Sequence, residues 1–340
     1  MKIAIINDTH FGCRNDSSVF LDTFLKFFDT QFFPYLEENN IKNILHLGDL
    51  MDRRKYVNFN TLHIIKERFF SKLKDYNFHM VLGNHDTFYR STNKVNSACE
   101  LFNSYDFFNL YQTPTTLEFD GLKIGMVPWV CSENENEVFD FLKSCDAPII
   151  AGHFELDGYE VFRGINFSGG MDDGVFSRFE KVLSGHFHIK STRKNVYYLG
   201  SQYEMTFSDL NDMKGFHVLD TETRELEFIE NTDRMFYSFG VDSVIPDSLN
   251  LKDKMVKLSY SSDDDRGAID ALVKKIEDQN PYDFTIVENF VSGLSEKTNV
   301  DLSMDTLSII RDEIENLELD INKDEIKKLT HEIYMEALDQ

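Results

Sequence analysis

The chain has 340 residues, with 35 lysines and arginines against 59 aspartates and glutamates, for a formal charge of −24. That balance excludes a broad basic face, so contact with nucleic acid has to be local, metal-assisted or shared with a more basic partner; the competing reading is that the charge only keeps the protein in solution. No apolar run approaches the roughly 20 residues of a membrane span, and Cys13, Cys99, Cys131 and Cys145, without C-x-x-C spacing, make no disulfide framework.

The length implies a catalytic domain of roughly 200 residues with smaller appended units. In the first two hundred residues five short apolar runs each end in a small or polar residue followed by a potential metal ligand. They are residues 3–7 before Asp8 and His10, 44–48 before Asp49, 79–83 before Asn84, His85 and Asp86, 148–152 before His153, and 181–185 before His186 and His188. Runs of this length and composition read as buried strands. Glycine at four of the exits, Gly48, Gly83, Gly152 and Gly185, supplies the backbone freedom for a sharp turn into a crevice. Residues 19–36 and 61–73 carry apolar positions near helical spacing, and the alternation predicts an α/β architecture. In open sheets of that class ligands bind beyond the carboxyl ends of strands, where all five motifs fall.

Asp8, His10, Asp49, Asn84, His153, His186 and His188 offer carboxylate, carboxamide and imidazole donors and no thiolate, enough for two cations if one carboxylate bridges. The donor set suits manganese, iron or zinc better than calcium, with manganese the first choice and magnesium a further alternative. A lone residue of this kind at a strand end is more often a cap; the joint pattern reverses the odds. His46, His63, His79, His217 and His331 fall outside the motifs and read as structural.

Further along, residues 214–230 read as two strands around a turn at 220–223. A strand at 255–260, a helix at 264–278 and a strand at 282–290 form a small β-α-β unit, and 291–295 reads as a linker. Leu307, Ile310, Ile314, Leu317 and Ile321 then recur at alternating steps of three and four, a heptad stripe. Asn322 and Glu325 can cap a second helix carrying Ile326, Leu329, Ile333 and Ala337. The hairpin either folds back on the core or docks a partner.

In this order D-x-H, G-D, G-N-H-D, G-H and G-H-x-H resemble the signature of calcineurin-like metallophosphoesterases. Gly48-Asp49-Leu50-Met51-Asp52-Arg53-Arg54-Lys55 and Tyr198-Leu199-Gly200-Ser201 with Phe207, Lys214 and Gly215 are similar to the SbcD (Mre-eleven) nuclease family, and most to its T-even phage recombination nucleases. The chain departs from archaeal and eukaryotic members at Asp52, where they carry histidine. The resemblance implies a sandwich of two mixed sheets flanked by helices over 1–240, a small α+β capping domain that helps select DNA over 241–296, and a helix-loop-helix over 297–340 that docks an SbcC (Rad-fifty) type ABC ATPase.

It further implies a two-metal DNA exonuclease and endonuclease acting in end processing, recombination and repair, as a homodimer within a heterotetramer, with no membrane association. The N-terminus carries no signal-peptide pattern, so the expected location is the cytoplasm, that of the host if the gene is a phage's. One Mn2+ would take Asp8, His10 and His188, the other Asn84, His153 and His186, with Asp49 bridging, His85 donating a proton to the leaving oxygen and Asp86 orienting it. Arg53, Arg54, Lys55, Arg90, Lys94, Lys190, Arg193 and Ser201 are expected at the DNA; the competing reading of the basic clusters is solvated loops. No G-x-x-x-x-G-K-[ST] loop is present, so ATP dependence belongs to another subunit. Two alternatives stand beside this reading: a phosphoesterase of small substrates, and a non-catalytic scaffold of the same fold.

Overall fold

The structure is a computed structural model that describes residues 1–289 together with Ile314, Lys323, Ile326, Lys327 and Thr330. The chain divides into two compact units: residues 1–205 with 211–235, and 206–210 with the chain from Phe236 onward.

The first unit is built on two six-stranded mixed sheets. In one, strands Lys2–Ile6, Asn43–His46, Asn77–Val81 and Phe108–Tyr111 run parallel, and Gly215–Asp220 and Leu226–Glu230 extend it antiparallel. In the other, Leu122–Val127, Ile149–His153, Lys181–Gly185 and Val196–Tyr198 run parallel, with Thr115–Phe119 and Ser191–Arg193 as antiparallel edges. Ile3, Ile5, Leu45, Leu47 and Val81 from the first sheet and Ile124, Met126, Ile149, Ala151 and Leu183 from the second form one core between them. The fold is thus the α/β sandwich expected from the motif order, and all five ligand-bearing runs are parallel strands inside it.

The outer face of the first sheet is covered by two helical stretches rich in phenylalanine. The first, Ser18–Phe27 continuing to Glu38, widens into a π-helical turn at Phe28–Phe32 just before Pro34. Proline lacks an N–H and its ring crowds the carbonyl four residues back, which the wider turn relieves. The second starts at Phe59, where the Asn58 side chain accepts the N–H groups of Asn60 and Thr61. Phe28 meets Phe69 at 4.7 Å, joining the helices, and Phe69 meets Phe11 at 5.2 Å, tying both to a ligand loop. Each such pair adds about 0.5–1.5 kcal/mol beyond its buried area.

In the second unit Phe236–Gly240, Met255–Ser261 and Asp283–Asn289 form a parallel sheet, with helix Arg266–Glu277 crossing between the last two. Ile245, Leu251, Val256, Leu258 and Ile276 make its core. Phe236–Gly240, placed by the sequence reading at the end of the first domain, pairs here instead, and the Phe207 ring meets Phe236 at 4.7 Å. Of the expected C-terminal hairpin, Ile314 is helical and buried and Ile326 helical and half-buried. The readings of 291–295 as a linker, of Leu307, Ile310, Leu317, Ile321, Leu329, Ile333 and Ala337 as helix faces and of Asn322 and Glu325 as a cap lie outside the described residues, as does His331. Among the described residues no helix is long and apolar enough to cross a membrane.

Candidate metal centre

Register brings the ligands together. Ile6, His46 and Met80 lie level across three parallel strands, so the chain leaves the first sheet at adjacent points. The first two exits are laced: Asp8, His10 and Phe11 donate their N–H groups to the carbonyls of Gly48, Asp49 and Leu50 at 2.9, 3.1 and 3.0 Å. In the second sheet Gly152 pairs with Ser184 and His153 with Gly185, so that His153 and His186 emerge side by side.

The exit turns are made differently from the sequence reading. Of the four exit glycines only Gly48 has a left-handed backbone, at φ 92°; the rest of that conformation falls on ligands themselves, Asp8 at 47°, His10 at 40°, Asp49 at 58° and His186 at 87°. Gly83 and Gly185 are there for space: a Cβ on Gly83 would lie 2.1 Å from Asp49 Oδ1, and one on Gly185 2.7 Å from the Leu47 carbonyl oxygen.

All seven expected ligands converge. Asp8, His10 and His188 form one group and Asp49, His153 and His186 another, each with ligand atoms within 4.8 Å. His188 Nε2 is 3.1 Å from His10 Nε2. Asn84 Oδ1 sits 2.9 Å from both His153 Nε2 and His186 Nδ1. Asp49 Oδ2 stands between the groups, 3.6 Å from His10 Nε2 and 3.3 Å from His153 Nε2.

Buried carboxylates faced by imidazole nitrogens from both sides fit a pair of divalent cations. Burial alone would lower His10, but Asp52, Asp49 and Asp8 raise it to about 9; burial opposes the same effect at His153, which Asp49, Asp8 and the Leu47 carbonyl also bring to about 9. Burial would raise Asp49, yet His153, His85 and His10 hold it well below the usual carboxylate range. The two imidazoles are therefore protonated at pH 7 and must lose their protons to ligate, so cation affinity rises with pH up to about 9. Calorimetric titration with Mn2+ at pH 7 in buffers of different ionisation enthalpy should count about two protons released per chain; heats independent of buffer would contradict this.

The outer nitrogens of the candidate ligand rings also face acceptors. His153 Nδ1 meets the Leu47 carbonyl at 2.7 Å, His10 Nδ1 meets Asp52 Oδ1 at 3.3 Å, and His186 Nε2 meets Glu155 Oε2 at 3.2 Å. His46 is fully buried behind this layer, its Nε2 3.1 Å from Thr9 Oγ1, and burial lowers it to about 3.

His85 lies beside the first group, its ring centroid 4.8 Å from that of His10, and its backbone N–H donates to Asp49 Oδ1 at 2.7 Å. The expected orienting role of Asp86 is corrected. His85 Nδ1 is held by the Asp52 backbone carbonyl at 2.5 Å, whereas the Asp86 carboxyl accepts backbone N–H groups of Asp49 and Gly83 at 2.8 Å, Leu50 at 2.9 Å and Met51 at 3.5 Å. Asp86 fastens the second exit to the third. Burial and Asp49 raise it to about 7 against the pull of those N–H groups.

Of the residues expected at the DNA, Ser201 alone is withdrawn from the surface, and the basic ones have partners within the protein or lie exposed. Ser201 is buried and its hydroxyl donates to the Tyr203 carbonyl. Arg53 is bound within the protein, to Asp16 at 2.8 Å and Asn15 at 2.6 Å, with its guanidinium over the Tyr56 ring. Lys94 pairs with Glu133, Arg193 donates to the Gly158 carbonyl and lies over Tyr159, and Lys190 lies 3.8 Å over the Phe228 ring. Arg54 is half-buried; Lys55 and Arg90 are exposed.

Asp52, Glu155 and Trp129 escaped the sequence reading as site residues. Asp52 entered it only as a departure from a family pattern, although three residues after Asp49 it serves His10 with its carboxylate and His85 with its carbonyl. Glu155 follows His153 by two residues, an acidic residue in an otherwise apolar exit. The single tryptophan, Trp129, lies with ring centroids 5.9 Å from His153 and 5.3 Å from His186.

Two groups of carboxylate and imidazole donors at the carboxyl ends of two packed sheets define a metallophosphoesterase. The chain belongs to the calcineurin-like phosphoesterase family, whose model matches residues 1–190. It is 32% identical over 266 residues to exonuclease subunit 1 of Enterobacteria phage T4, covering 75% of this chain and 76% of that one. It is 24% identical over 258 residues to the SbcD component of the SbcCD nuclease of Staphylococcus epidermidis, covering 66% and 67%.

Proposed function

We propose that this chain is a manganese-dependent DNA nuclease, cutting phosphodiesters from ends and internally, and that it works in DNA end processing, recombination and repair as the nuclease subunit of an SbcCD-like complex. In that complex two copies join two copies of an ABC ATPase of the Rad-fifty type. The observation that carries the reading is the pair of ligand groups meeting at Asp49 with His85 beside them, in a chain related over three quarters of its length to an exonuclease subunit.

Asp8, His10 and His188 would hold one cation and Asn84, His153 and His186 the other, with Asp49 shared. Bound there, the cations supply a nucleophilic oxygen at neutral pH and offset the charge that develops on the phosphate. His85 handles the remaining proton. Its Nδ1 is committed to the Asp52 carbonyl, so exchange with the leaving sugar oxygen falls to Nε2. Asp86 holds the loop of Asp49 and the loop of His85 in one register. With a charge of −24, attraction for DNA has to come from the cations, from exposed basic groups such as Lys55, and from the partner.

The test is to incubate the purified chain with Mn2+ and linear DNA, with and without an SbcC-type partner, beside a generic phosphatase substrate. The expected result is DNA cleavage stimulated by the partner. Robust turnover of the phosphatase substrate with inert DNA would overturn the nuclease reading.

A further inference from the structure

We propose that Glu155 is a positioning residue for the cation held by Asn84, His153 and His186: its carboxylate accepts the Nε2–H of His186 and commits Nδ1 to the cation. The proposal rests on the two-cation reading above and adds to it a residue that the ligand motifs leave out.

The two edges of the His186 ring face different partners. Nδ1 points to Asn84 Oδ1 at 2.9 Å, inside the ligand group, and Nε2 to Glu155 Oε2 at 3.2 Å, outside it. A neutral imidazole carries one proton, and the hydrogen bond made by one nitrogen decides which is left as the electron-pair donor. With Glu155 accepting at Nε2, the lone pair stays on Nδ1. A half-turn of the ring would break both contacts at once, since carbon edges would then replace both nitrogens.

Neighbouring groups fix the rest of the arrangement. The His186 backbone N–H donates to Asp8 Oδ1 at 3.2 Å and Oδ2 at 3.0 Å, and the rings of Trp129 and Phe187 lie 5.3 and 4.8 Å from its own. The Glu155 backbone is also placed. Its carbonyl accepts the Met171 N–H at 2.9 Å, and Gly170 packs so closely that a Cβ there would lie 2.6 Å from that oxygen. Glu155 is two residues from His153, so one short segment supplies a ligand to this cation and the orienter of another.

The other imidazole of the group, His153, gives its outer nitrogen to a backbone carbonyl, that of Leu47. Its orientation comes with the fold. That of His186 depends on a side chain, that of Glu155, which is 38% exposed.

The experiment is calorimetric titration of the full chain with Mn2+ for wild type, Glu155→Ala and Glu155→Gln, with long-range 1H–15N spectra of the Mg2+-loaded chain reporting the His186 tautomer. Wild type should bind two cations, with His186 protonated at Nε2. Glu155→Ala should weaken one of the two sites by about 10–100-fold, leave the other unchanged and mix the tautomers. Glu155→Gln, whose amide oxygen still accepts, should recover most of the loss. Wild-type affinities at both sites in Glu155→Ala, or Glu155→Gln as weak as Glu155→Ala, would overturn the proposal while leaving the metal centre standing. A wild-type chain that binds no Mn2+ would remove the metal-centre reading and the proposal with it.

Discussion

His85→Gln is expected to lower DNA hydrolysis by about 10²–10⁴-fold, the usual worth of a positioned proton donor, with both cations still bound. Glutamine keeps the size and the hydrogen-bonding edge that meets the Asp52 carbonyl, and the backbone N–H to Asp49 Oδ1 does not depend on the side chain. Only transferable protons are lost. The Mn2+ affinity should therefore match wild type while kcat falls, and the defect should shrink on substrates whose leaving group needs no proton, such as a nitrophenyl ester. An equal loss on both kinds of substrate, with cation binding intact, would remove His85 from proton transfer.

Asp86→Ala should cost about 3–5 kcal/mol of folding stability, a large share of the roughly 5–15 kcal/mol that holds an ordinary domain. The carboxyl is fully buried and accepts four backbone N–H groups, from Gly83, Asp49, Leu50 and Met51. Each donor stranded without water costs about 1–3 kcal/mol, with some recovered by relaxation. Asp86→Asn, which keeps one accepting oxygen, should lose less. Denaturant unfolding of the metal-free chain measures both, and a midpoint for Asp86→Ala within error of wild type would show that those N–H groups find other partners. Because the same bonds align Asp49 with Asn84, cation affinity should fall in the same order.

The convergence of the candidate ligands was legible because it is written locally: an apolar run fixes a strand, and the residue just past its end has one place to go. Asp8, Asp49, Asn84, His153 and His186 could be found one motif at a time, and shared parallel sheets made their meeting follow. What orders them was not legible. Asp86 stands beside His85 in sequence but serves residues more than thirty positions earlier, and the Asp52 carbonyl has no signature at all. Arg53 looks like a phosphate contact from its neighbours Arg54 and Lys55, yet Asp16 reaches it from another loop. Ser201 carries a polar side chain into the interior, which composition could not foretell. At the exits the residue type was read correctly and its reason was not, since Gly83 and Gly185 answer to crowding across the site. The expected end of the first domain at residue 240 falls just past the strand Phe236–Gly240, because its parallel pairing with Met255–Ser261 leaves no mark on either segment.

Asp8, His10, Asp49 and His186 hold backbone angles that most side chains avoid. Asparagine, aspartate and histidine tolerate that region best after glycine, and branched residues worst. The chain's future variation at these places is thus narrowed before any chemistry is consulted: valine or isoleucine at position 49 is disfavoured by the turn itself, whereas asparagine suits it. A descendant that bound no metal could keep asparagine at positions 8 and 49, whose amide oxygen still accepts the backbone N–H groups of His186 and His85. Scaffolds derived from this architecture would go on looking like enzymes long after they had stopped being so, and cation binding rather than residue identity would tell them apart.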